Sequence, residues 1–119
     1  MAERRRYTRV RREQPCDVVI QGVRHAAHLA DLSLKGALIA LAEGVQLVSG
    51  ADVTLEIPLS ADASETIVMT GRVLHRRKQT VAILCSSIDV DSVTHLRRLL
   101  ELNTGDPALI ERELVTPRA

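Results

Sequence analysis

Asp52-Val53-Thr54-Leu55-Glu56-Ile57-Pro58 alternates polar and apolar residues without a break, which places Val53, Leu55 and Ile57 on one face. A period of two belongs to a strand with one side in a core. Pro58 has no N–H for the next ladder bond, so it ends the run. The pattern recurs in both directions from this stretch. Residues 65–75 put Ile67, Met69 and Val73 on one side, and residues 79–85 do the same with Val81, Ile83 and Cys85. Upstream, residues 16–20 and 24–30 flank Gln21-Gly22 and read as a hairpin, with Gly22 suited to the positive φ of a tight turn. A further strand at 36–41 follows Asp31-Leu32-Ser33-Leu34-Lys35-Gly36, which reads as a turn. About six short strands separated by turn residues predict a small antiparallel barrel or sandwich, and closing the sheet would protect its edges.

Beyond residue 89 the period changes to near 3.6. Val90, Val93, Leu96, Leu99, Leu100 and Asn103 form one stripe of a helix over about 90–103, with Asp89 or Asp91 placed to cap its start. Gly105 can close that helix, Asp106 can cap another, and Pro107 sits at the favoured first position of a short second helix. With strands through the body and helices only at the end, the class is α+β or mainly β, and the expectation is the latter, a β-barrel with C-terminal helices. The expected layout is a flexible arginine-rich arm over 1–14, the barrel and its helix over 15–104, and a second short helix with a tail over 105–119.

At 119 residues the chain fits one domain, with Val, Leu, Ile and Ala supplying a modest core. Its net charge of +1 hides an asymmetry. The first twelve residues hold six Arg against one Glu, which leaves ten Lys or Arg against fourteen Asp or Glu in the remainder. A basic head on an acidic body points to an anionic partner met by the head, and the acidic body disfavours a long polyanion. The two cysteines, Cys16 and Cys85, have neither disulfide-framework nor zinc spacing, and His25, His28, His75 and His95 are not at metal-ligand spacing with either. No metal or cofactor is expected. No apolar stretch approaches the roughly 20 residues a membrane helix needs, and no apolar core follows the charged N-terminus as in a leader. A soluble protein of the reducing cytoplasm is the expectation.

Two segments carry the chemistry. The head reads Glu3-Arg4-Arg5-Arg6-Tyr7-Thr8-Arg9-Val10-Arg11-Arg12, a cluster of planar guanidiniums that can bridge phosphate oxygens or meet guanine O6 and N7 in a bidentate way. The segment Asp31-x-Ser33-x-x-Gly36 offers a carboxylate that can accept from guanine N–H groups, a hydroxyl, and a glycine that lets backbone come close to a ligand. Taken singly, an Arg head is more often a solvated tail or nucleic-acid arm, and DxSxxG arises readily at strand ends.

Together, Arg4-Arg5-x-x-x-Arg9 and Asp31-x-Ser33-x-x-Gly36, 22 residues apart, resemble the RRxxxR and [DN]xSxxG signatures of PilZ domains, receptors for cyclic di-GMP. The resemblance implies a six-stranded antiparallel PilZ-type barrel. It implies that Arg4, Arg5, Arg9, Asp31, Ser33 and Gly36 bind cyclic di-GMP, with Arg6 close by. The doubled arginine further implies two stacked ligand molecules. Relatives often stack an aromatic on a base from the strand matching residues 71–76, but this chain has no Trp or Phe. His75 is the best match for that place, and Arg72 and Arg76, which alternate with it, are expected to face the same ligand.

The self-repelling head lacks apolar anchors, so it is expected to be disordered alone and to fold over the ligand when multiple charge-assisted contacts form at once. The new surface would then be read by a downstream protein that the sequence does not identify, with the chain a monomer or homodimer. Two alternatives stand beside this reading: a PilZ-like protein-interaction module with weak or no nucleotide binding, and a nonspecific nucleic-acid binder. No nucleophile elbow or paired carboxylates of a hydrolase pattern are present, so catalysis is not expected.

Overall fold

The computed structural model describes residues 9–45 and 47–104. Its elements are β1 (Arg9–Ile20), β2 (Val23–Ser33), β3 (Gly36–Leu41), β4 (Asp52–Pro58), β5 (Thr66–Arg77), β6 (Thr80–Ile88) and the helix α1 (Val90–Thr104). The strands close into a barrel in the order β1-β2-β3-β6-β5-β4, and each neighbouring pair is antiparallel, including the closing pair β1–β4. The fold is the expected one, a six-stranded antiparallel β-barrel with a C-terminal helix.

The alternating residues of the sequence line the interior. Val18, Leu29, Ile39, Val53, Leu55, Ile57, Ile67, Met69, Val73, Val81, Ile83 and Cys85 are all buried in one core. Gln21 and Gly22 both take positive φ, as a two-residue hairpin joining right-twisted strands requires, and Ile20 pairs with Val23 across it. Cys16 sits in this interior, where burial first and the Asp17 charge second push its thiol up to about 11.

Two boundaries differ from expectation. The strand β1 begins at Arg9, so residues 9–14 belong to the barrel and not to the arm, because β2 runs on far enough to pair Arg9 with Ser33 and Val10 with Leu32. Correspondingly, Asp31 to Ser33 are the last residues of β2, and only Leu34 and Lys35 form the turn to β3. A bulge makes this extension possible. Leu29 and Leu32 are three apart yet both fully buried, which a regular strand cannot manage. Ala30 is an extra residue against β3, where Leu29 faces Ile39 and Asp31 faces Leu38. On its other side β2 meets a register slip in β1 between Arg11 and Gln14.

Helix α1 starts as one of the two expected caps foresaw. Asp89 accepts the Ser92 N–H at 3.1 Å through Oδ2 and the Ser92 hydroxyl at 2.7 Å through Oδ1. Ser92 Oγ in turn accepts the Val68 N–H of β5 at 2.8 Å. These bonds hold the Asp89 carboxyl below the usual carboxylate value, with the Ser92 hydroxyl the larger cause. The buried stripe is Ser92, Leu96 and Leu100, flanked by half-buried Val93 and Leu99, and it packs mainly on β5. Val90, 80% exposed, and Asn103 fall off the stripe, since the cap rotates Ser92 toward the sheet in their place. The expected second helix and tail over 105–119 lie outside the described residues. No described helix is long and apolar enough to cross a membrane.

Candidate functional site

Residues directly opposite one another in an antiparallel sheet point to the same side, so the register reads out what shares the barrel's outer face. One row runs Arg9–Ser33–Gly36–Leu84–Arg72 across β1, β2, β3, β6 and β5. The next runs Arg11–Asp31–Leu38–Ala82–His75 across the same strands. The Ala30 bulge decides the second row, because without it the carboxylate of Asp31 would follow Leu29 into the core.

Asp31 and Arg9 meet diagonally between the two rows. Arg9 Nη2 donates to Asp31 Oδ1 at 3.0 Å, with the two side chains 32% and 23% exposed. Arg9, Arg11, Ala30, Asp31 and Leu38 surround a cavity of about 280 Å³. Asp31 Oδ2 makes no hydrogen bond among the described residues and remains available to a donor. The site thus pairs guanidiniums with a carboxylate that has one oxygen committed and one open.

Ser33 and Gly36 have different employment. Ser33 is 7% exposed; its Oγ accepts the Lys35 N–H at 3.2 Å and lies 3.5 Å from the Gly36 carbonyl oxygen, a long donor contact. It bridges the β2–β3 turn it belongs to. A Cβ on Gly36 would collide with the Ile83 carbonyl oxygen and come within 3.3 Å of the Cys85 nitrogen. The glycine is therefore demanded by the close approach of β3 to β6, where the Cys85 N–H also bonds the Lys35 carbonyl at 2.6 Å. Gly36 opens space toward a strand, and the sequence reading had it opening space toward a ligand.

The three residues expected on β5 separate. Val73 faces Ile83 while His75 faces Ala82, so Leu74 is an extra residue, and Leu74 and His75 both turn outward and are exposed. This slip reverses the phase of Arg76. It stands opposite buried Val81 and reaches the barrel mouth, where Nη1 donates to Val45 O at 2.8 Å and lies 3.4 Å from Leu47 O, and Nε donates to Lys78 O at 2.6 Å. Arg76 holds the β3–β4 loop and does not face Asp31. Arg72 and His75 do share the outer face with Ser33 and Asp31, but two strands intervene, three interstrand steps or about 14 Å. Arg4, Arg5 and Arg6 lie outside the described residues.

Two lining residues, Ala30 and Leu38, escaped the sequence reading, and Arg11 entered it only as one member of the charged head. Arg11 follows Arg9 by two, and a strand starting at Arg9 would have put both on one face. Ala30 carries no signal beyond the spacing of Leu29 and Leu32. No cluster of His, Cys, Asp and Glu among the described residues could hold a metal ion.

A family model of the PilZ domain matches residues 3–102. Among solved structures, the chain is similar to the Bacillus subtilis inhibitor of motility MotI/DgrA, with 18% identity and a TM-score of 0.70 over 87% of this chain and 52% of that one. It thus spans about half the length of that protein. It is also similar to the PilZ domain of CeSA from a cellulose-synthesizing bacterium, with 15% identity and a TM-score of 0.62 over 83% of this chain and 99% of that one. These identities speak for a shared fold, and the family match covers most of the chain: it belongs to the PilZ domain family.

Proposed function

We propose that the protein is a cyclic di-GMP receptor that passes the signal to a protein partner. PilZ is a cyclic di-GMP-binding family, which supports the general assignment of a receptor or adaptor. The observation that carries the reading to this chain is the convergence of Arg9, Arg11 and Asp31 on one outer cavity, next to an unaltered Asp31-x-Ser33-x-x-Gly36. In this reading Asp31 Oδ1 keeps Arg9 in place while Oδ2 accepts from a guanine N–H. Arg9 and Arg11 face the phosphodiesters, and Ser33 contributes its hydroxyl at the rim. Arg4 and Arg5, with Arg6 beside them, close over the ligand from before β1, with two stacked ligand molecules as the doubled arginine implies. The part that rearranges is confined to residues ahead of Arg9, and the surface it forms is what the partner reads. The protein works in the cytoplasm as a non-enzymatic adaptor.

A second reading is favoured by one observation. Ser33 and Gly36 both serve the β2–β3 turn and the β3–β6 approach, so the motif would persist in a domain that acts through protein contacts alone. Calorimetric titration with cyclic di-GMP, GTP and a duplex oligonucleotide at two salt concentrations separates the readings. Cyclic di-GMP should bind well above GTP, and Asp31→Ala and Arg9→Ala should each weaken it by at least tenfold. Absence of cyclic di-GMP binding by the parent chain would favour the interaction module. Binding of the oligonucleotide alone, falling steeply with salt, would favour a nucleic-acid arm.

A further inference from the structure

We infer that Arg11, which lies outside both signatures, supplies the most weakly compensated positive charge lining the site and makes it selective for a ligand with two phosphodiester charges. The inference rests on the proposed cyclic di-GMP reading and divides labour between two arginines that the sequence alone would treat alike. Arg9 is half-consumed, since one end of its guanidinium is bound to Asp31 at 3.0 Å and both side chains are largely covered. Its charge is balanced before any ligand arrives.

Arg11 differs in each respect. It stands directly opposite Asp31 in the β1–β2 register and lines the same cavity. Its side chain is 86% exposed, and among the described residues its carboxylate partner is Glu13, whose Oε2 is 3.6 Å from Nη2, too far for a hydrogen bond. A pair so exposed holds its members weakly, so an incoming phosphate can take Arg11 from Glu13 at little cost. Two residues along a strand set Arg9 and Arg11 about 6.6 Å apart on one face, so they can address different phosphate groups of one ligand. Arg9, held in place by Asp31, then meets one phosphate with its charge already shared, Arg11 meets the other with its charge largely uncommitted, and Glu13 is a built-in competitor for Arg11.

The test is calorimetric titration of cyclic di-GMP, and of the linear dinucleotide with a single phosphodiester, into the full chain and three variants. Arg11→Ala is expected to weaken cyclic di-GMP at least tenfold, to flatten the salt dependence of its affinity, and to narrow its advantage over the linear form. Arg11→Lys, which keeps the charge, should recover most of the loss, and Glu13→Gln should tighten binding two- to threefold, about what an exposed pair is worth. The exposed side chain makes Arg11→Ala neutral for folding, and its melting curve controls for that. Unchanged affinity in Arg11→Ala while Arg9→Ala abolishes binding would overturn the assignment and leave the receptor reading intact. So would a loss that Arg11→Lys fails to recover. Failure of the receptor reading shows earlier and separately, as a parent chain that does not bind cyclic di-GMP.

Discussion

Replacing Gly36 by Ala tests whether the last residue of the Asp31-x-Ser33-x-x-Gly36 motif is held by the fold or by a ligand. The added Cβ would run into the Ile83 carbonyl oxygen, with the Ile83 carbonyl carbon at 3.0 Å and the Cys85 nitrogen at 3.3 Å. All three are backbone atoms, so no side chain can swing away. Relief requires β3 and β6 to part at the Gly36–Leu84 pair. That strains or breaks the Cys85 N–H bond to Lys35 O, now 2.6 Å, and loosens the turn that Ser33 bridges. Overpacking of about 1–3 kcal/mol and about 1 kcal/mol for one weakened buried hydrogen bond give a loss of about 2–4 kcal/mol. At about 4–6 °C per kcal/mol for a domain of this size, the melting temperature should fall by roughly 10–20 °C.

With no Trp and one Tyr, intrinsic fluorescence is a poor probe, so the assay is thermal unfolding followed by far-ultraviolet circular dichroism. Gly71→Ala is the internal control. Its Cβ would strike the Leu84 carbonyl oxygen and approach Ile83 Cγ2 to 3.0 Å, on β5 and away from Asp31. Both variants should melt early, and neither should alter ligand affinity at temperatures where it remains folded. A Gly36→Ala protein that melts within about 1 °C of the parent would refute the steric reasoning. One that melts normally yet no longer binds cyclic di-GMP would return the glycine to the ligand.

Other expectations follow from single contacts. Arg76→Met should leave the barrel intact but release the β3–β4 loop, since it removes the donors to Val45 O, Leu47 O and Lys78 O; hydrogen exchange should rise at Gly50 and Ala51 while ligand affinity stays unchanged, and a tenfold loss of affinity would contradict the placement of Arg76 at the barrel mouth. For Asp89 the sign is that of a carboxyl held lower in the folded chain than its usual 3.8. Its contribution is therefore complete above about pH 4 and disappears as pH falls through the lower, folded value. Asp89→Asn should reduce stability at pH 7, and its difference from the parent should shrink as pH falls through the lowered folded value; a difference independent of pH would contradict the cap.

What could be read ahead of the structure were features with a period. Val53, Leu55 and Ile57, or Val81, Ile83 and Cys85, announce their strands because a half-buried strand needs alternation and nothing else in the segment disturbs it. The helix was legible for the same reason, but its stripe was misjudged at both ends. Asp89 binds Ser92 and Ser92 binds Val68, so a serine that hydropathy reads as surface took the buried place given to Val90. The motif residues were legible as identities and not as geometry. A bulge leaves no compositional trace, so Asp31 was read as a turn residue when it ends a strand, and Arg76 as a partner of Arg72 when the Leu74 slip points it the other way.

The bulges at Ala30 and Leu74 act in opposite senses, and both change the charge of the outer face. The extra residue at Ala30 brings a carboxylate out of phase with Leu29 and onto the surface, where it captures Arg9. The extra residue at Leu74 takes a guanidinium off that surface and spends it on loop carbonyls. Cations therefore remain near Asp31 at Arg9 and Arg11, and again at Arg72 on β5, while the path from Asp31 to His75 crosses Leu38 and Ala82. A flat purine extending from Asp31 toward β5 would meet aliphatic side chains along that path and an exposed imidazole at its end. Its affinity must then come from the charged end of the face, which is why substitutions at Arg9 and Arg11 should outweigh any at His75.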